Sequence, residues 1–169
     1  MRDLLPELCD SYGAELTLLP SKFSSFGGKA IFWGQVETVR CPEDNGLVRQ
    51  ILSEPGKGRV LLIDGGGGSR RALLGDQLAE LALQNGWSGI LVYGYVRDVM
   101  TLSNLPLGVQ ALGAMPLKTD KRGLGERSVE VEIEGRRIQP GDYLYADPNG
   151  IAISAALLVL PEGFKELNA

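Results

Sequence analysis

The feature that most constrains the fold is a pair of unbroken apolar segments separated by one amphipathic segment. The first apolar segment is RVLLIDGGGG, the helix is predicted over GDQLAELALQNG, and the second apolar segment is GILVYGYV. Apolar runs without polar alternation are typical of strands buried on both faces, as in parallel sheets covered by helices. Because a helix connects the two strands, they are predicted to lie parallel in one sheet. Asp76 near the start of this helix and Gly86 just past its end mark its boundaries.

Helix and strand signals continue on both sides of this unit. A short helix is predicted over roughly Asp3 to Tyr12, and another over PEDNGLVRQILSE, where acids and Asn45 precede the apolar positions. Strands are predicted in GGKAIFWGQVETVRC, as one strand or a pair with a bend, in SVEVEIEGRRI, and in GDYLYADPNGIAIS as a hairpin. The charged, glycine-containing run LKTDKRGLGERS predicts a mobile exposed loop. We therefore expect an α/β fold, a single layered domain over residues 1–169 with a mixed sheet.

The residue content excludes several kinds of chemistry. The chain has no histidine, which removes Ser-His-Asp triads, histidine metal ligands and imidazole proton shuttles. Its net charge of -4 at pH 7 provides no basic surface, so direct nucleic-acid binding is not expected. No segment has the length of a membrane span, and the amino terminus carries acids and a proline where a secretory signal needs a basic start and an apolar run. We expect no membrane association and a cytoplasmic location.

A glycine-rich loop follows the first buried strand. Gly65 to Gly68 supply flexible backbone with exposed N–H groups, which can either receive an anion or simply make a tight connection. The lysine and the Ser/Thr that follow the last glycine of a P-loop are missing. Gly75, directly before Asp76, is the more informative glycine, because it lets a ligand approach the start of the helix closely.

Arg97 and Asp98 follow the second buried strand and form the other candidate position. A helix and a returning parallel strand bring successive strand ends together, so Asp76 and the Arg97–Asp98 pair are predicted to face one cavity. Arginine can clamp a carboxylate, and two acids can hold a hard cation such as Mg2+ or Mn2+, partly through water. The alternative is structural, with an ion pair between Arg97 and Asp76 and with Asp98 capping the next segment.

Several segments together resemble the family of the regulator of ribonuclease E activity, protein A, and its metal-dependent aldolase relatives. They are LCDSYG, FSSFGGKAIFWGQVETVRCPEDNGLV, GRVLLIDGGGGSRRALLGDQLAELALQNGWSGILVYGYVRD, GVQALGAMPLKTDKRGLGE and GDYLYADPNGI. The resemblance covers almost the whole chain. It implies a swivelling β/β/α fold and a ring-shaped homotrimer.

The resemblance also implies a chemistry for the candidate residues. Enzymatic members are divalent-metal pyruvate aldolases that cleave 4-hydroxy-4-methyl-2-oxoglutarate and decarboxylate oxaloacetate, and Asp76, Arg97 and Asp98 match their motif. By resemblance Asp98 binds the metal, Mg2+ or Mn2+, and Arg97 contacts the carboxylate or oxo group of a small 2-oxo acid. The backbone from Gly75 through Asp76 and Gln77 to Leu78 cradles the same end of the substrate. With no imidazole in the chain, a water held by Asp76 is the expected proton carrier.

Two further expectations come with the resemblance. The family motif often has an acid separated from the Arg-Asp pair by two to four intervening residues, whereas the corresponding positions here are Thr101, Leu102 and Ser103. Glu43 and Asp44 are therefore candidates for an acid donated by a neighbouring subunit, or else they only cap their own helix. The other activity in the family is non-catalytic: an acidic protein regulator that binds ribonuclease E or its helicase partners and inhibits RNA processing.

Overall fold

A large mixed sheet forms the centre of the molecule, as seen in a computed structural model that describes residues 2–168. In this part of the chain ten strands make one sheet and two make a separate hairpin. The strands are β1 (Thr17–Leu18), β2 (Ser24–Ser25), β3 (Phe32–Arg40), β4 (Val60–Asp64), β5 (Ala72–Leu74), β6 (Gly89–Val96), β7 (Gly108–Ala114), β8 (Glu126–Arg127), β9 (Val131–Ile133), β10 (Arg136–Ile138), β11 (Tyr143–Asp147) and β12 (Gly150–Ser154). The helices are α1 (Leu5–Tyr12), α2 (Gly46–Leu52), α3 (Asp76–Gln84) and α4 (Val99–Leu102), with 3-10 turns at Gly13–Glu15 and Lys165–Asn168.

The order of strands across the sheet is β1-β12-β11-β3-β4-β6-β7-β2. The central strands β3, β4, β6 and β7 are parallel neighbours, and β11, β12, β1 and β2 extend the two sides by antiparallel pairing. Strand β5 runs parallel to β6, beside the part of β6 that lies beyond the end of β4. The α/β class and the mixed sheet predicted from the sequence are confirmed.

Burial on both faces explains the unbroken apolar runs of β4 and β6. In β4, Leu61 and Ile63 pack on the side of helices α2 and α3, in a cluster that includes Ile51 and Ala79. The alternate residues of β4 pack in a second cluster, against the β9–β10 hairpin and strands β11 and β12. The result is three layers: helices, central sheet and hairpin. A strand in the middle layer meets apolar atoms on both sides, so it has no polar face to display.

The structure refines several of the predicted elements. The segment GGKAIFWGQVETVRC forms one strand, β3, rather than a pair, and GDYLYADPNGIAIS forms the predicted hairpin of β11 and β12. Strand β5 lies inside a segment interpreted as loop, because three apolar residues after a glycine turn give too short a signal. No helix in residues 2–168 is long and apolar enough to cross a membrane.

Candidate active site

The pairing of β5 with β6 brings the two candidate segments together. Leu74, the last residue of β5, lies opposite Val96, the last residue of β6. The amide of Arg97 donates to the carbonyl of Leu74 at 2.9 Å. Gly75 therefore follows one strand and Arg97 follows its parallel neighbour at the same edge of the sheet, which is where ligands bind in open α/β sheets.

A small polar cavity of about 60 Å3 lies at this edge, and all six predicted site residues line it. They are Gly75, Asp76, Gln77, Leu78, Arg97 and Asp98. A second cleft of about 290 Å3, with more apolar walls, shares Arg97 and Asp98 with the first. These two side chains are 38% and 35% exposed, so they stand between two spaces that a small molecule can enter.

Gly75 allows the two segments to approach each other closely. A Cβ atom at this position would stand 2.6 Å from Oδ2 of Asp98 and 3.4 Å from Nε of Arg97. The same Oδ2 accepts a hydrogen bond from the backbone N–H of Asp76 at 3.0 Å. Because Asp76 N–H is used in this way, the first-turn amides left for a substrate are those of Gln77 and Leu78, which have no acceptor within the helix. Of the residues predicted to cradle a substrate, Asp76 thus has its backbone N–H already bonded to Asp98.

The structural roles predicted as alternatives for Arg97 and Asp98 are wrong. Within the described chain the carboxylate partner of Arg97 is Asp98, with Nε 3.8 Å from Oδ2, and no ion pair joins Arg97 to Asp76. Asp98 precedes α4, but its side chain does not cap that helix. Its backbone is in the left-handed region, with φ of 58°, a conformation that costs about 1–3 kcal/mol outside glycine and concentrates at functional sites. The turn thus aims the Asp98 carboxylate at the cavity instead of at the helix.

The donor set suits a hard cation with few protein ligands. Among residues 2–168 no group of three or more acid or cysteine side chains is placed to bind a metal ion. Mg2+ in proteins keeps several waters and commonly binds through one or two carboxylates plus substrate oxygens. Asp98, which lines both spaces, and Asp76 beside it provide that minimal set. The residues fit a divalent cation of this kind and do not fit a fully protein-ligated zinc site.

The glycine loop makes a tight turn and does not line the cavity. The amides of Gly65 and Gly67 both donate to the carbonyl of Tyr93, and the amide of Gly66 donates to Oδ1 of Asp64 at 2.9 Å. Gly66 and Gly67 have φ of 69° and 74°, in the region that favours glycine. Of the two readings of this loop, the structural connection is the one observed, because its N–H groups are already bonded.

Part of the cavity wall comes from a segment that was predicted to be a mobile loop. Residues 117–123 are held at one end by Ala72, whose amide donates to the carbonyl of Leu117 at 2.7 Å. At the other end, the amides of Arg122 and Gly123 donate to the carboxylate of Asp44 at 2.8 and 3.1 Å. The segment is exposed but anchored, and it carries Lys118 and Lys121 to the cavity.

Asp44 is a structural residue of its own subunit. Its side chain is fully buried, and it also accepts from the amide of Gly46 at the start of α2 at 2.9 Å. Burial raises the pKa of this carboxyl, but the backbone N–H donors outweigh burial and the net pKa lies below its usual value. The prediction that Asp44 reaches a neighbouring subunit's site is therefore wrong, because its carboxylate is buried and bonded to amides of its own chain, one of them at the first residue of α2. Glu43 is exposed and pairs with Arg70, Oε1 to Nε 3.4 Å.

Five residues of the cavity wall were not predicted as site residues: Asn45, Arg49, Ala72, Lys118 and Lys121. Asn45 is buried, and its Nδ2 donates to the carbonyl of Leu73 at 3.1 Å. Asn45 appeared only as a helix-capping signal, and the two lysines as part of a charged loop. No local pattern links residues 45 and 118, since the contact between their segments is long-range.

A larger cavity, of about 430 Å3, lies elsewhere and offers less chemistry. It is lined by the β1–β2 and β11–β12 connections and by residues of neighbouring strands, including Gln110 of β7 and Asp147 of β11. The carboxylate of Asp147 is buried and accepts from the amides of Leu4, Leu5 and Asn149 at 2.7–2.9 Å. Because the carboxylate of Asp147 is already bonded to backbone amides, it is not available to a ligand. We therefore place the candidate site at Arg97 and Asp98, although the cavity there is smaller.

Comparison with known proteins gives consistent relatives. A sequence model of the family described as RraA-like, Aldolase/RraA, matches residues 5–153. A protein of Shewanella oneidensis named "Putative 4-hydroxy-4-methyl-2-oxoglutarate aldolase" is 55% identical over 154 residues, covering 91% of this chain and 94% of its own. The same name recurs among relatives that are about 50% identical.

Two solved structures share the fold with a TM-score of 0.89. One is the RNA-processing inhibitor RraA from Thermus thermophilis, 44% identical, covering 96% of this chain and 97% of its own. The other is described as S-adenosylmethionine: 2-dimethylmenaquinone methyltransferase from Geobacillus kaustophilus, 41% identical, with coverages of 94% and 97%. The aldolase name is carried by the Shewanella oneidensis protein and the other relatives about 50% identical, and it supports an aldolase at the level of the family.

Proposed function

The chain belongs to the RraA-like (Aldolase/RraA) family, and on that premise we propose that it is a divalent-metal-dependent aldolase that cleaves 4-hydroxy-4-methyl-2-oxoglutarate to pyruvate, with oxaloacetate decarboxylation as a side activity. One observation carries the proposal. Asp76, Arg97 and Asp98, which come from two separate strand ends, line a single small polar cavity. Cleavage of a carbon-carbon bond beside a 2-oxo acid needs positive charge and N–H donors to bind the acid and a carboxylate to hold a metal ion or a proton. The guanidinium of Arg97, the N–H groups at the start of α3 and the two aspartates provide these groups in one space.

Arg97 binds and orients the 2-oxo acid end of the substrate. Its guanidinium lines both spaces, and its pairing with Asp98 at 3.8 Å is loose enough to leave N–H donors for a carboxylate. The amides of Gln77 and Leu78 donate from the other side, where the positive end of the α3 dipole favours an anion. Together these groups fix the plane of the pyruvyl unit before the carbon-carbon bond breaks.

Asp98, with Asp76 beside it, would hold the divalent cation. When bound, such a cation supplies positive charge for the electrons that move to the 2-oxo oxygen as the bond breaks. The hydrogen bond from Asp76 N–H keeps the Asp98 carboxylate in one orientation, with Oδ2 fixed 3.0 Å from that nitrogen. Gly75 permits this approach because it has no side chain.

Asp76 is the group in the cavity best placed to handle a proton. It lies at the first position of α3, partly exposed, and lines the cavity without an ion-pair partner among the described residues. A carboxylate in that position can hold a water and accept or return a proton through it.

The test is pyruvate release by the purified protein from 4-hydroxy-4-methyl-2-oxoglutarate and from oxaloacetate. We expect turnover with Mg2+ or Mn2+, loss after chelation, and recovery when the ion is restored. Turnover that persists unchanged in chelator, or none with any divalent ion, contradicts the proposal.

The name of one relative favours a second function, a protein regulator of RNA processing. A chain with net charge -4 can dock on a basic segment of ribonuclease E or a helicase partner by charge complementarity. Pull-down of ribonuclease E at increasing salt tests this, because such binding weakens as salt screens the charges. Retention of binding by an inactive Asp98→Asn variant would place the two functions on different surfaces, and no capture at low salt contradicts the regulator.

We also propose, from the family resemblance, that the protein assembles as a homotrimer. Light scattering coupled to size exclusion measures the mass directly, and three copies of an 18.2 kDa chain are expected. A monomeric or dimeric mass contradicts the trimer.

A further inference from the structure

The wall of the small cavity carries more positive than negative charge. Four cationic side chains face two carboxylates there, and the cationic ones are Arg49, Arg97, Lys118 and Lys121. Within residues 2–168, Arg97 has Asp98 as its partner, whereas neither lysine nor Arg49 has a carboxylate within 4.0 Å. Unpaired cations gathered at one cavity favour an anionic ligand with more than one negative charge.

The two lysines are presented by fixed backbone. Segment 117–123 is bonded to Ala72 at one end and to Asp44 at the other, and the amide of Asn45 donates to the carbonyl of Asp120 at 3.3 Å. Anchoring at both ends sets where the lysine side chains leave the backbone, while their long stems remain free to adjust. The backbone of segment 117–123 is therefore held in place by hydrogen bonds at both ends, unlike that of a solvated loop.

One unsatisfied polar atom belongs to a residue of the cavity wall, and a second belongs to segment 117–123. In the described part of the chain, the buried side-chain polar atoms without a hydrogen-bond partner are Oδ1 of Asn45 and Oγ1 of Thr119. Asn45 lines the cavity, and Thr119 belongs to the lysine-bearing segment. Buried polar groups are normally bonded, so Oδ1 of Asn45 indicates that a hydrogen-bond donor is missing beside a residue of the cavity wall. An ammonium has three N–H donors, enough to bind an anion and also an amide or hydroxyl oxygen.

From these observations we infer that Lys118 and Lys121 form the subsite for the second carboxylate of a dicarboxylic 2-oxo acid. The inference rests on the proposed function, in which Arg97 and the start of α3 hold the 2-oxo acid end. The cavity accommodates little more than that end, so the rest of a longer substrate extends to the rim, where both lysines are exposed. The lysines are thus specificity residues that select a substrate with a carboxylate at each end.

The experiment compares two probes that differ only at the far end. 2-Oxoglutarate has a terminal carboxylate where 2-oxopentanoate has a methyl group, and neither has the 4-hydroxyl needed for aldol cleavage. Calorimetry with Mg2+ present measures the Kd of each probe for the wild-type protein, for Lys118→Gln/Lys121→Gln and for the matched control Lys57→Gln/Arg137→Gln. The control removes the same two charges at exposed positions that do not line the cavity.

We expect the wild-type protein and the control to bind 2-oxoglutarate about tenfold more tightly than 2-oxopentanoate, equivalent to about 1.4 kcal/mol. In the lysine variant the ratio should fall to about one, with the Kd of 2-oxopentanoate unchanged. Single variants at each lysine give an intermediate ratio and serve if the double variant does not fold.

Three outcomes overturn the inference. In the first, the wild-type protein binds the two probes equally or binds neither. In the second, the lysine variant weakens both probes alike, which assigns the lysines to the shared 2-oxo acid end. In the third, the ratio is unchanged in the variant. Failure of the proposed function is separate, because it shows as absent pyruvate release by a wild-type protein whose probe ratio is still measurable.

Discussion

The backbone N–H of Asp76 donates to Oδ2 of Asp98 across 3.0 Å, which ties the first residue of helix α3 to the turn after strand β6. The bond crosses between two segments 22 residues apart in sequence. It fixes one carboxylate oxygen and leaves the rest of the group facing the cavity. This contact depends on Gly75, whose missing side chain leaves room for the carboxylate.

Gly75→Ala is expected to displace Asp98. The new Cβ would stand 2.6 Å from Oδ2, so the carboxylate must move by several tenths of an ångström or more. A shift of about 1 Å in a positioning group can cost about a hundredfold in rate, and we expect a loss of that size in kcat/KM for pyruvate release. Gly13→Ala is the control, because nothing lies within 4 Å of its added Cβ. Full activity in Gly75→Ala would show that the Asp98 position is not critical.

Arg97→Lys keeps the positive charge and removes the planar guanidinium group. An ammonium cannot make the two parallel hydrogen bonds of a guanidinium to a carboxylate. We expect kcat/KM to fall by about a hundredfold, close to 3 kcal/mol, the scale of a strong charge-assisted contact. Steady-state kinetics on both substrates measure the loss. Activity within a few fold of wild type would assign Arg97 a structural role.

Asp98→Asn removes the negative charge of this side chain and keeps its size. Asparagine tolerates the left-handed backbone at this position, and its side-chain oxygen can still accept from Asp76 N–H. We therefore expect an unchanged fold, a loss of at least about a hundredfold in kcat, and loss of the response to Mg2+. Circular dichroism checks the fold, and Asp10→Asn on the exposed face of α1 is the control. Normal metal dependence in Asp98→Asn would move the ligand elsewhere.

Asp44 should make stability depend on pH in the acid range. Its pKa is lowered in the folded state because backbone N–H donors outweigh burial, so the folded state binds a proton less readily than the unfolded chain. Its stabilising contribution is complete above the unfolded pKa of about 3.9 and is lost as pH falls through the lower folded value.

Asp44→Asn tests this contribution and the anchoring of segment 117–123. We expect the free energy of unfolding in urea to fall by about 1–3 kcal/mol at pH 7, because an amide cannot satisfy the same donors. The difference from wild type should shrink below about pH 4. Hydrogen exchange should be faster at the amides of Arg122 and Gly123, and unchanged in Glu43→Gln, an exposed neighbour. A difference that grows as pH falls would contradict the assignment.

The candidate residues could be found from the sequence because each stands at the boundary of a strand or helix with a clear pattern. An apolar run such as β6 is typical of a buried strand, so Arg97 and Asp98 were expected at its end. Gly75 and Asp76 were marked by the start of an amphipathic helix. Both signals are local, and local patterns determine which residues stand at element boundaries.

The part of the cavity wall that segment 117–123 forms could not be found in this way. Strand β5 is three residues long, and its existence depends on pairing with β6 and with the segment that includes Leu117. In the sequence Asp44 has the pattern of a helix cap. In the structure its buried carboxylate accepts hydrogen bonds from the amides of Arg122 and Gly123, which lie 78 and 79 residues further along the chain.

The sequence by itself therefore determined the α/β layering and the Asp76, Arg97 and Asp98 positions, because periodicity and strand ends are properties of short segments. Only the tertiary structure decided that Lys118 and Lys121 join them and that Asp44 does not. Loop placement is set by long-range hydrogen bonds to buried groups, and no spacing along the chain encodes them.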